Sequence, residues 1–176
     1  LNSDSATSWY VYHQAKGANY FLALNGTGAG SGTSDIVWGS TEPTSTEFTV
    51  GYSSDVNADG LEYIAYLFAD TPGLIKCDSY TATGTTQTID CGFEAQFVIV
   101  KNTDQQSTDW MLFDAKLGDK QYLRPNLDSK EADSNISFTN NGFTLGPGAD
   151  NNTNAPGENF IYIAIAAGTD TTFFDP

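Results

Sequence analysis

Short apolar runs rich in β-branched and aromatic residues recur along most of the chain, which is the pattern of β-strands rather than helices. The runs are separated by stretches rich in Gly, Asn, Ser, Thr and Pro, residues that favour turns. The runs that predict strands are residues 9–12, 20–24, 48–52, 63–68, 97–101, 110–114, 122–123, 136–138, 143–145 and 159–166. Asn141-Gly142 lies between two of them and predicts a two-residue hairpin turn. We therefore expect an all-β fold, an antiparallel β-sandwich of the jelly-roll kind.

The pattern occurs twice. Trp9 corresponds to Trp110 and Asn25 to Asn126, each pair 101 positions apart. Residues 48–51 then match residues 143–146, and residues 57–66 match residues 154–163, with small changes of offset that indicate loops of different length. The repetition predicts two tandem related units, residues 1–69 and residues 70–176. One pseudo-symmetric pair that shares a core fits the pattern equally well.

We expect the first unit to begin part-way through the pattern. In the second unit an apolar run, residues 97–101, precedes Trp110, but Leu1 falls opposite Lys101. We therefore expect the first unit to lack its first strand, which would leave a sheet edge open. The apolar tail, residues 172–176 of a neighbouring chain, could fill such an edge by strand addition. Strand addition between copies of the chain would produce a homo-oligomer.

The charge of the chain argues against some classes of partner. Seven Lys and Arg residues against 22 Asp and Glu residues give a net charge of −15. Such a chain repels phosphate backbones and anionic lipid surfaces, so we expect neither nucleic acid nor membrane as a partner. No run approaches the roughly 18 apolar residues of a membrane span.

The two cysteines lie symmetrically about Gly84. A hairpin that turned at Gly84 would place Cys77 and Cys91 opposite each other, which predicts a cross-strand disulfide. A disulfide would imply a location outside the reducing cytoplasm. Two buried free thiols are the alternative.

The sequence gives little support for catalysis. His13 is the only histidine, so a site that needs two histidines is excluded, and neither cysteine has the neighbours of a nucleophile. Asp109 and Asp114 flank Trp110, but their spacing along a strand places them on opposite faces, which does not suit glycoside hydrolysis. We predict no catalytic residues and no enzyme activity.

One turn resembles half of a calcium loop. Asp55, Asn57 and Asp59, followed by Gly60, have the alternation that presents oxygen atoms to a hard cation. The twelfth position is Tyr66 rather than the glutamate that completes such a loop. A plain Asx turn explains the same residues without any cofactor, so calcium and no cofactor both stay open.

Tryptophan is the residue best suited to contact a sugar. Trp9 and Trp110 occupy matched positions and are expected in the core. Trp38 has no counterpart in the second unit and follows a Gly/Ser-rich loop, so we select it as the candidate ligand contact.

Several motifs together resemble a known family. They include residues 9–13, 57–60, 63–66, 97–101, 110–114, 141–143 and 161–164. The chain resembles the repeated β-rich domain of largely uncharacterised phage virion proteins, common in tail-fibre-like and other structural proteins of marine and aquatic phages. The resemblance implies a strand ending in Ile-Val-Lys before each Trp motif, and it offers no catalytic residues. The family usually has Gly or aromatic residues in place of Cys77 and Cys91.

We therefore expect a non-enzymatic virion protein, a tail-fibre or surface-fibre module for attachment and host recognition. A capsid-decorating or self-assembling filament module is one alternative, and a secreted lectin-like carbohydrate-binding domain is another. The expected partners are other virion proteins, copies of the same chain and host surface glycan. The expected location is the virion surface or the extracellular space.

Overall fold

A computed structural model of the protein describes residues 7–30, 32, 35–118 and 121–168. The described chain is all-β, with two short helices and several antiparallel sheets, as predicted. The elements in chain order are β1 (Tyr10–Val11), β2 (Leu22–Ala23), α1 (Asp35–Trp38), α2 (Ser54–Asn57), β3 (Ile75–Thr81), β4 (Gln87–Asp90), β5 (Ala95–Asn102), β6 (Trp110–Asp114), β7 (Gln121–Tyr122), β8 (Ala132–Asp133), β9 (Ile136–Thr139), β10 (Gly142–Leu145) and β11 (Asn159–Ala166).

The second half of the chain contains two sheets that face each other. The larger has the strand order β3-β11-β5-β6 and the smaller has the order β4-β10-β9. Alternate residues of each strand point into the space between them, where Tyr80, Phe143 and Phe160 belong to one buried cluster. The ring of Phe160 stacks on that of Tyr80 at 5.1 Å between centroids. This is the arrangement of a β-sandwich.

The first half packs on the outer face of the larger sheet. Leu22 of β2 joins Trp110 of β6 and Ile161 of β11 in a second buried cluster. The indole nitrogen of Trp110 donates a hydrogen bond to the backbone oxygen of Ala23 at 2.8 Å. The larger sheet is therefore covered on both faces.

The predicted hairpin near Asn141 is present. Strands β9 and β10 pair from Thr139 and Gly142 outward, so the two loop residues are Asn140 and Asn141. Gly142 is the first residue of β10 and has φ of 151°. A Cβ there would lie 2.1 Å from the backbone oxygen of Ile89, so the glycine permits β4 and β10 to pair.

The strands predicted over residues 48–52 and 63–68 are wrong: the structure assigns no strand to either segment. Their counterparts in the second half, β10 and β11, each lie between two neighbouring strands. A strand requires a hydrogen-bonded partner, and none of the described strands pairs with residues 48–52. The tail at residues 172–176 lies outside the described residues.

The predicted disulfide is also wrong, because Cys77 and Cys91 are both free thiols. Strands β3 and β4 do not form a hairpin, since β3 pairs with β11 and β4 pairs with β10. Cys77 pairs with Ile163, whose side chain points away from the sandwich core, whereas Cys91 belongs to that core. The two thiols therefore lie on opposite sides of the larger sheet.

Two hydrogen bonds at matched positions are the same in both halves. The Asn25 side-chain oxygen accepts from the backbone nitrogen of Trp9 at 3.0 Å. The Asn126 side-chain oxygen accepts from the backbone nitrogen of Trp110 at 2.9 Å. The sequence correspondence at these four residues is thus also a structural one.

A second pair of hydrogen bonds at matched positions stabilises a turn in each half. Asn57 donates to the backbone oxygen of Gly51 at 3.0 Å, and Asn154 donates to that of Gly146 at 2.9 Å. A Cβ at Gly51 would lie 2.3 Å from the backbone oxygen of Ile36, so glycine is required by close backbone approach. The same turn geometry therefore occurs twice, although the first half forms far less sheet.

The Asn–Trp hydrogen bonds lead to a testable prediction. We expect Asn25→Ala to lower the free energy of unfolding by about 1 kcal/mol, the usual net value of one hydrogen bond. Asn126→Ala should lower the free energy of unfolding by more than Asn25→Ala, because Asn126 also donates a hydrogen bond to Asp109 at 2.8 Å. Urea denaturation followed by tryptophan fluorescence measures both, and exposed Asn19→Ala is the control. Equal values for Asn25→Ala and the control would contradict the structural role.

Candidate binding surface

The exposed hydrophobic side chains are concentrated in one part of the first half. Of the eleven large hydrophobic side chains that are exposed among the described residues, eight lie within residues 48–68. They are Phe48, Val50, Tyr52, Leu61, Ile64, Tyr66, Leu67 and Phe68. We refer to residues 48–52 and 61–68 together as the exposed apolar surface. A concentration of this kind is typical of an interaction site.

The turn between the two segments holds them in place. Ser53 caps α2, and its side-chain oxygen accepts from the backbone nitrogen of Asp55 at 3.3 Å. The Tyr63 hydroxyl donates to the backbone oxygen of Ser54 and accepts from the backbone nitrogen of Ala58, both at 2.9 Å. Both segments are therefore fixed at their junction by local hydrogen bonds.

The candidate calcium ligands take part in this turn through contacts with the protein itself. Asp55 accepts a hydrogen bond from the hydroxyl of Tyr10 at 2.8 Å, and the Asn57 amide donates to Gly51. Asp59 follows the helical turn of α2 and is exposed. Among the described residues there is no group of three or more His, Cys, Asp or Glu side chains placed to hold a metal ion. Calcium at Asp55, Asn57 and Asp59 therefore stays a prediction, and the plain turn stays its alternative.

Trp38 is held by the first half itself. Its indole nitrogen donates to the backbone oxygen of Tyr20 at 3.1 Å, and its ring packs edge-on against Tyr12 at 6.2 Å between centroids. The side chain is half-buried. Its selection as a ligand contact stays a prediction, and only part of the ring remains accessible for one.

The other two tryptophans differ from each other. Trp110 is buried, as predicted. The core placement of Trp9 is wrong, because this side chain is 38% exposed. Tyr52 is more exposed still, at 72%, and its hydroxyl lies 3.4 Å from a carboxylate oxygen of Asp35. Tyr52 is thus an accessible aromatic ring that sequence reasoning missed, because it was assigned to a strand.

The polar residues considered as catalytic candidates form hydrogen bonds or ion pairs within the fold. The His13 Nε2 lies 3.2 Å from the backbone oxygen of Tyr162, and burial lowers the pKa of His13. Asp109 accepts from Asn126 and pairs with Arg124 at 3.4 Å. The carboxylate of Asp114 accepts from the backbone nitrogen of Lys116 at 2.8 Å. Each of these side chains stabilises the fold locally.

Cys91 is not an activated nucleophile. Burial raises the pKa of its thiol to about 11, although a hydrogen bond with Tyr162 opposes this shift. The thiolate is the reactive form of cysteine, so Cys91 is protonated and unreactive at neutral pH.

Lys101 is a buried amine between the two halves. Its side chain is fully buried, and Nζ donates to the backbone oxygen and to the hydroxyl of Thr108 at 2.8 and 2.7 Å. The backbone oxygen of Thr27 lies 3.5 Å away. Burial lowers the pKa of Lys101 to about 8, and attraction to Asp109 opposes this shift. The sequence signal for this residue is a charge that ends an apolar run.

Comparison with known protein families gives a match over most of the chain. A family model described as a domain of unknown function, DUF7483, matches residues 1–168. No curated protein and no solved structure matches the chain. Within the described residues, no helix has the length and apolar character needed to cross a membrane.

Proposed function

The chain belongs to the DUF7483 family, a domain of unknown function, and we propose that it is a non-enzymatic structural protein of a phage virion. In this proposal it forms a module of a tail fibre or surface fibre and serves attachment to the host. The observation that carries the proposal is the exposed apolar surface on a well-packed, acidic β-sandwich. A packed scaffold that presents exposed segments is the usual architecture of recognition.

The repeated turn geometry supports a fibre in particular. We propose that residues 1–69 and 70–176 are two related units of jelly-roll type, and that the first has an incomplete sheet. The support is the recurrence of the Asn–Trp and Asn–Gly hydrogen bonds at matched positions. Elongated structural proteins are commonly built from units that repeat in sequence and contact their neighbours.

The proposed partners are other virion proteins, copies of this chain and a host surface glycan. Tyr52 is the residue best placed to contact a sugar, because its ring is accessible and Asp35 beside it supplies a hydrogen-bond acceptor. We propose a location on the virion surface. The high negative charge suits contact with neutral or positively charged surfaces rather than with nucleic acid.

The second candidate function is a capsid-decorating or self-assembling filament module. The exposed apolar side chains of residues 61–68 favour it, because apolar surface of this kind is covered in most assemblies. The two candidates differ in what the surface contacts: a host glycan in the first and a neighbouring protein in the second.

Binding of the labelled protein to a glycan array and to a panel of bacterial cells tests the leading proposal. We expect saturable binding to a subset of cells, lost after periodate treatment of their glycans. Tyr52→Ser should weaken this binding by at least about thirtyfold, the effect expected at an interface hot spot. Leu127→Ser is the control, because Leu127 is also exposed but lies in the second half. Absence of cell and glycan binding, together with filaments in electron micrographs, would favour the second candidate instead.

A further inference from the structure

One turn has the same hydrogen bonds in both halves of the chain. In the first half, the side-chain oxygen of Ser53 accepts from the backbone nitrogen of Asp55 at 3.3 Å. In the second half, a carboxylate oxygen of Asp150 accepts from the backbone nitrogen of Asn152 at 2.9 Å. Both matched pairs are 97 positions apart, the offset of the repeat in this region, so the two turns are equivalent.

In the first half, the side chain of Tyr10 lies beside this turn. Its hydroxyl donates to a carboxylate oxygen of Asp55 at 2.8 Å. Its ring packs edge-on against that of Phe21, at 5.1 Å between centroids. A ring that carries a hydroxyl group is thus held between an aromatic side chain and an oxygen acceptor.

The matched place in the second half is a cavity. Met111 corresponds to Tyr10 at an offset of 101 positions, and methionine has neither the ring nor the hydroxyl. Tyr122 corresponds to Phe21 at the same offset. Met111 and Tyr122 line a cavity of about 230 Å³. The polar residues around it are Asp133, Ser134, Asn135, Asp150 and Asn152.

The apolar wall of the cavity is held in place by the fold. Met111 is buried in the core of the sandwich. The hydroxyl of Tyr122 accepts a hydrogen bond from the Arg124 guanidinium at 2.7 Å, and the Arg124 Cζ lies 5.2 Å from the ring centroid. The position of the Tyr122 ring is therefore set before any ligand arrives.

The polar residues keep hydrogen-bonding capacity for a ligand. The two carboxylate oxygens of Asp150 accept from the backbone of Asn152 and from the hydroxyl of Thr153 at 2.9 and 3.0 Å. Each carboxylate oxygen can accept two hydrogen bonds, so each has one place left. The side-chain oxygen of Asn152 accepts from the backbone nitrogen of Asp109 at 2.7 Å, which leaves its amide N–H groups as donors.

This combination of groups fits a saccharide. A sugar ring has C–H groups that contact an apolar wall and several hydroxyl groups that both donate and accept. The five polar residues around the cavity are more than a single hydroxyl group would use. The volume is below the roughly 300 Å³ at which sites for drug-sized ligands begin, so it suits one ring.

We propose that this cavity binds one neutral monosaccharide unit. The sugar ring lies against Met111 and Tyr122. Its hydroxyl groups form hydrogen bonds with Asp150 and Asn152, and the carboxylates around the cavity repel acidic sugars. The site is separate from Tyr52, so the proposal holds whether or not the exposed apolar surface binds a glycan.

Titration of the intact, isotope-labelled protein with methyl glycosides tests the proposal. The probes are the methyl glycosides of glucose, galactose, mannose, N-acetylglucosamine and N-acetylgalactosamine, and the measurement is the NMR shift of each backbone amide. We expect at least one glycoside to shift the amides of residues 133–135 and 150–152 saturably. Its Kd should be on the order of 1 mM, as for other ligands of this size.

Two variants copy the first half into the cavity. Asp150→Ser removes the carboxylate but keeps the turn, because Ser53 forms the same hydrogen bond in the first half. Met111→Tyr introduces the ring and hydroxyl that Tyr10 has there. We expect both to weaken binding of the glycoside by at least about tenfold.

Asp90→Ser is the matched control for Asp150→Ser. The carboxylate of Asp90 also accepts from a backbone nitrogen two residues later, that of Gly92 at 2.8 Å, and Asp90 does not line the cavity. We expect Asp90→Ser to leave glycoside binding unchanged. Circular dichroism should show the wild-type fold for both serine variants.

The proposal is overturned if no glycoside shifts the amides around the cavity, or if Asp150→Ser keeps the wild-type fold and binds as tightly as the wild type. The phenol p-cresol is a further probe. Shifts of the same amides with p-cresol and with no glycoside would also overturn it, and would indicate a site for a tyrosine of a partner protein. Because the amides around the cavity report this site alone, failure here leaves the proposed role of Tyr52 untouched.

Discussion

Replacing Phe160 by alanine is expected to lower the free energy of unfolding by about 3–5 kcal/mol, the cost of removing a buried phenylalanine ring. Phe160 is fully buried in β11, the strand that pairs with both β3 and β5. Its ring stacks on Tyr80, which itself contacts Phe143 and Tyr162. The substitution thus leaves a cavity at the centre of the sandwich, where the surrounding strands cannot close it.

Phe68→Ala is the matched control, because it removes the same ring from a position that is more than half exposed. Its expected effect on the free energy of unfolding is within about 0.5 kcal/mol, as for ordinary surface substitutions. Urea denaturation monitored by circular dichroism compares the two variants. Similar values would mean that the first half, and not the sandwich, determines the stability of the protein.

The second expected result concerns Lys101 and alkaline pH. Burial lowers the pKa of Lys101 in the folded protein to about 8, against an ordinary value of 10.5. Between these values the unfolded chain binds the proton and the folded chain does not. The contribution of Lys101 to the free energy of unfolding therefore rises with pH in this window, by about 2 kcal/mol between pH 8 and pH 10.

Lys101→Met isolates this contribution, because methionine fills a similar volume and has no proton to lose. The measurement is the free energy of unfolding by urea at pH 8, 9 and 10 for both proteins. We expect the difference between the wild type and the variant to move in favour of the wild type by about 2 kcal/mol over this range. Parallel pH profiles would show that Lys101 titrates normally and that the buried amine is not strongly desolvated.

Local sequence signals predict the strands and the hairpin of the second half correctly. The sequence predicts strands β5, β6 and β11 because each is a short apolar run that is mostly buried in the folded sandwich. The Asn–Gly hairpin was found within one residue, since turn chemistry is a local property. Similar runs over residues 48–52 and 63–68 gave wrong predictions, because the formation of a strand also depends on pairing over long distances, which no local pattern reports.

Pairing between distant strands explains the remaining differences. The disulfide was inferred from symmetry about Gly84, but β3 and β4 belong to different sheets, which only long-range pairing decides. The contact of Lys101 with Thr27 requires the first half to lie against the larger sheet, and residue type alone does not predict this. Tyr52 became a candidate contact residue only when its exposure was known.

The central position of β11 has a consequence for the synthesis of the protein. Strands β3 and β5 leave the ribosome long before residues 159–166, yet β11 is the strand that joins them. Until it is made, the two strands have no common neighbour, and the face on which β1 and β2 pack lacks Ile161. The nascent chain therefore holds most of its aromatic residues outside a finished core, and folding of both halves is coupled to the arrival of one late segment.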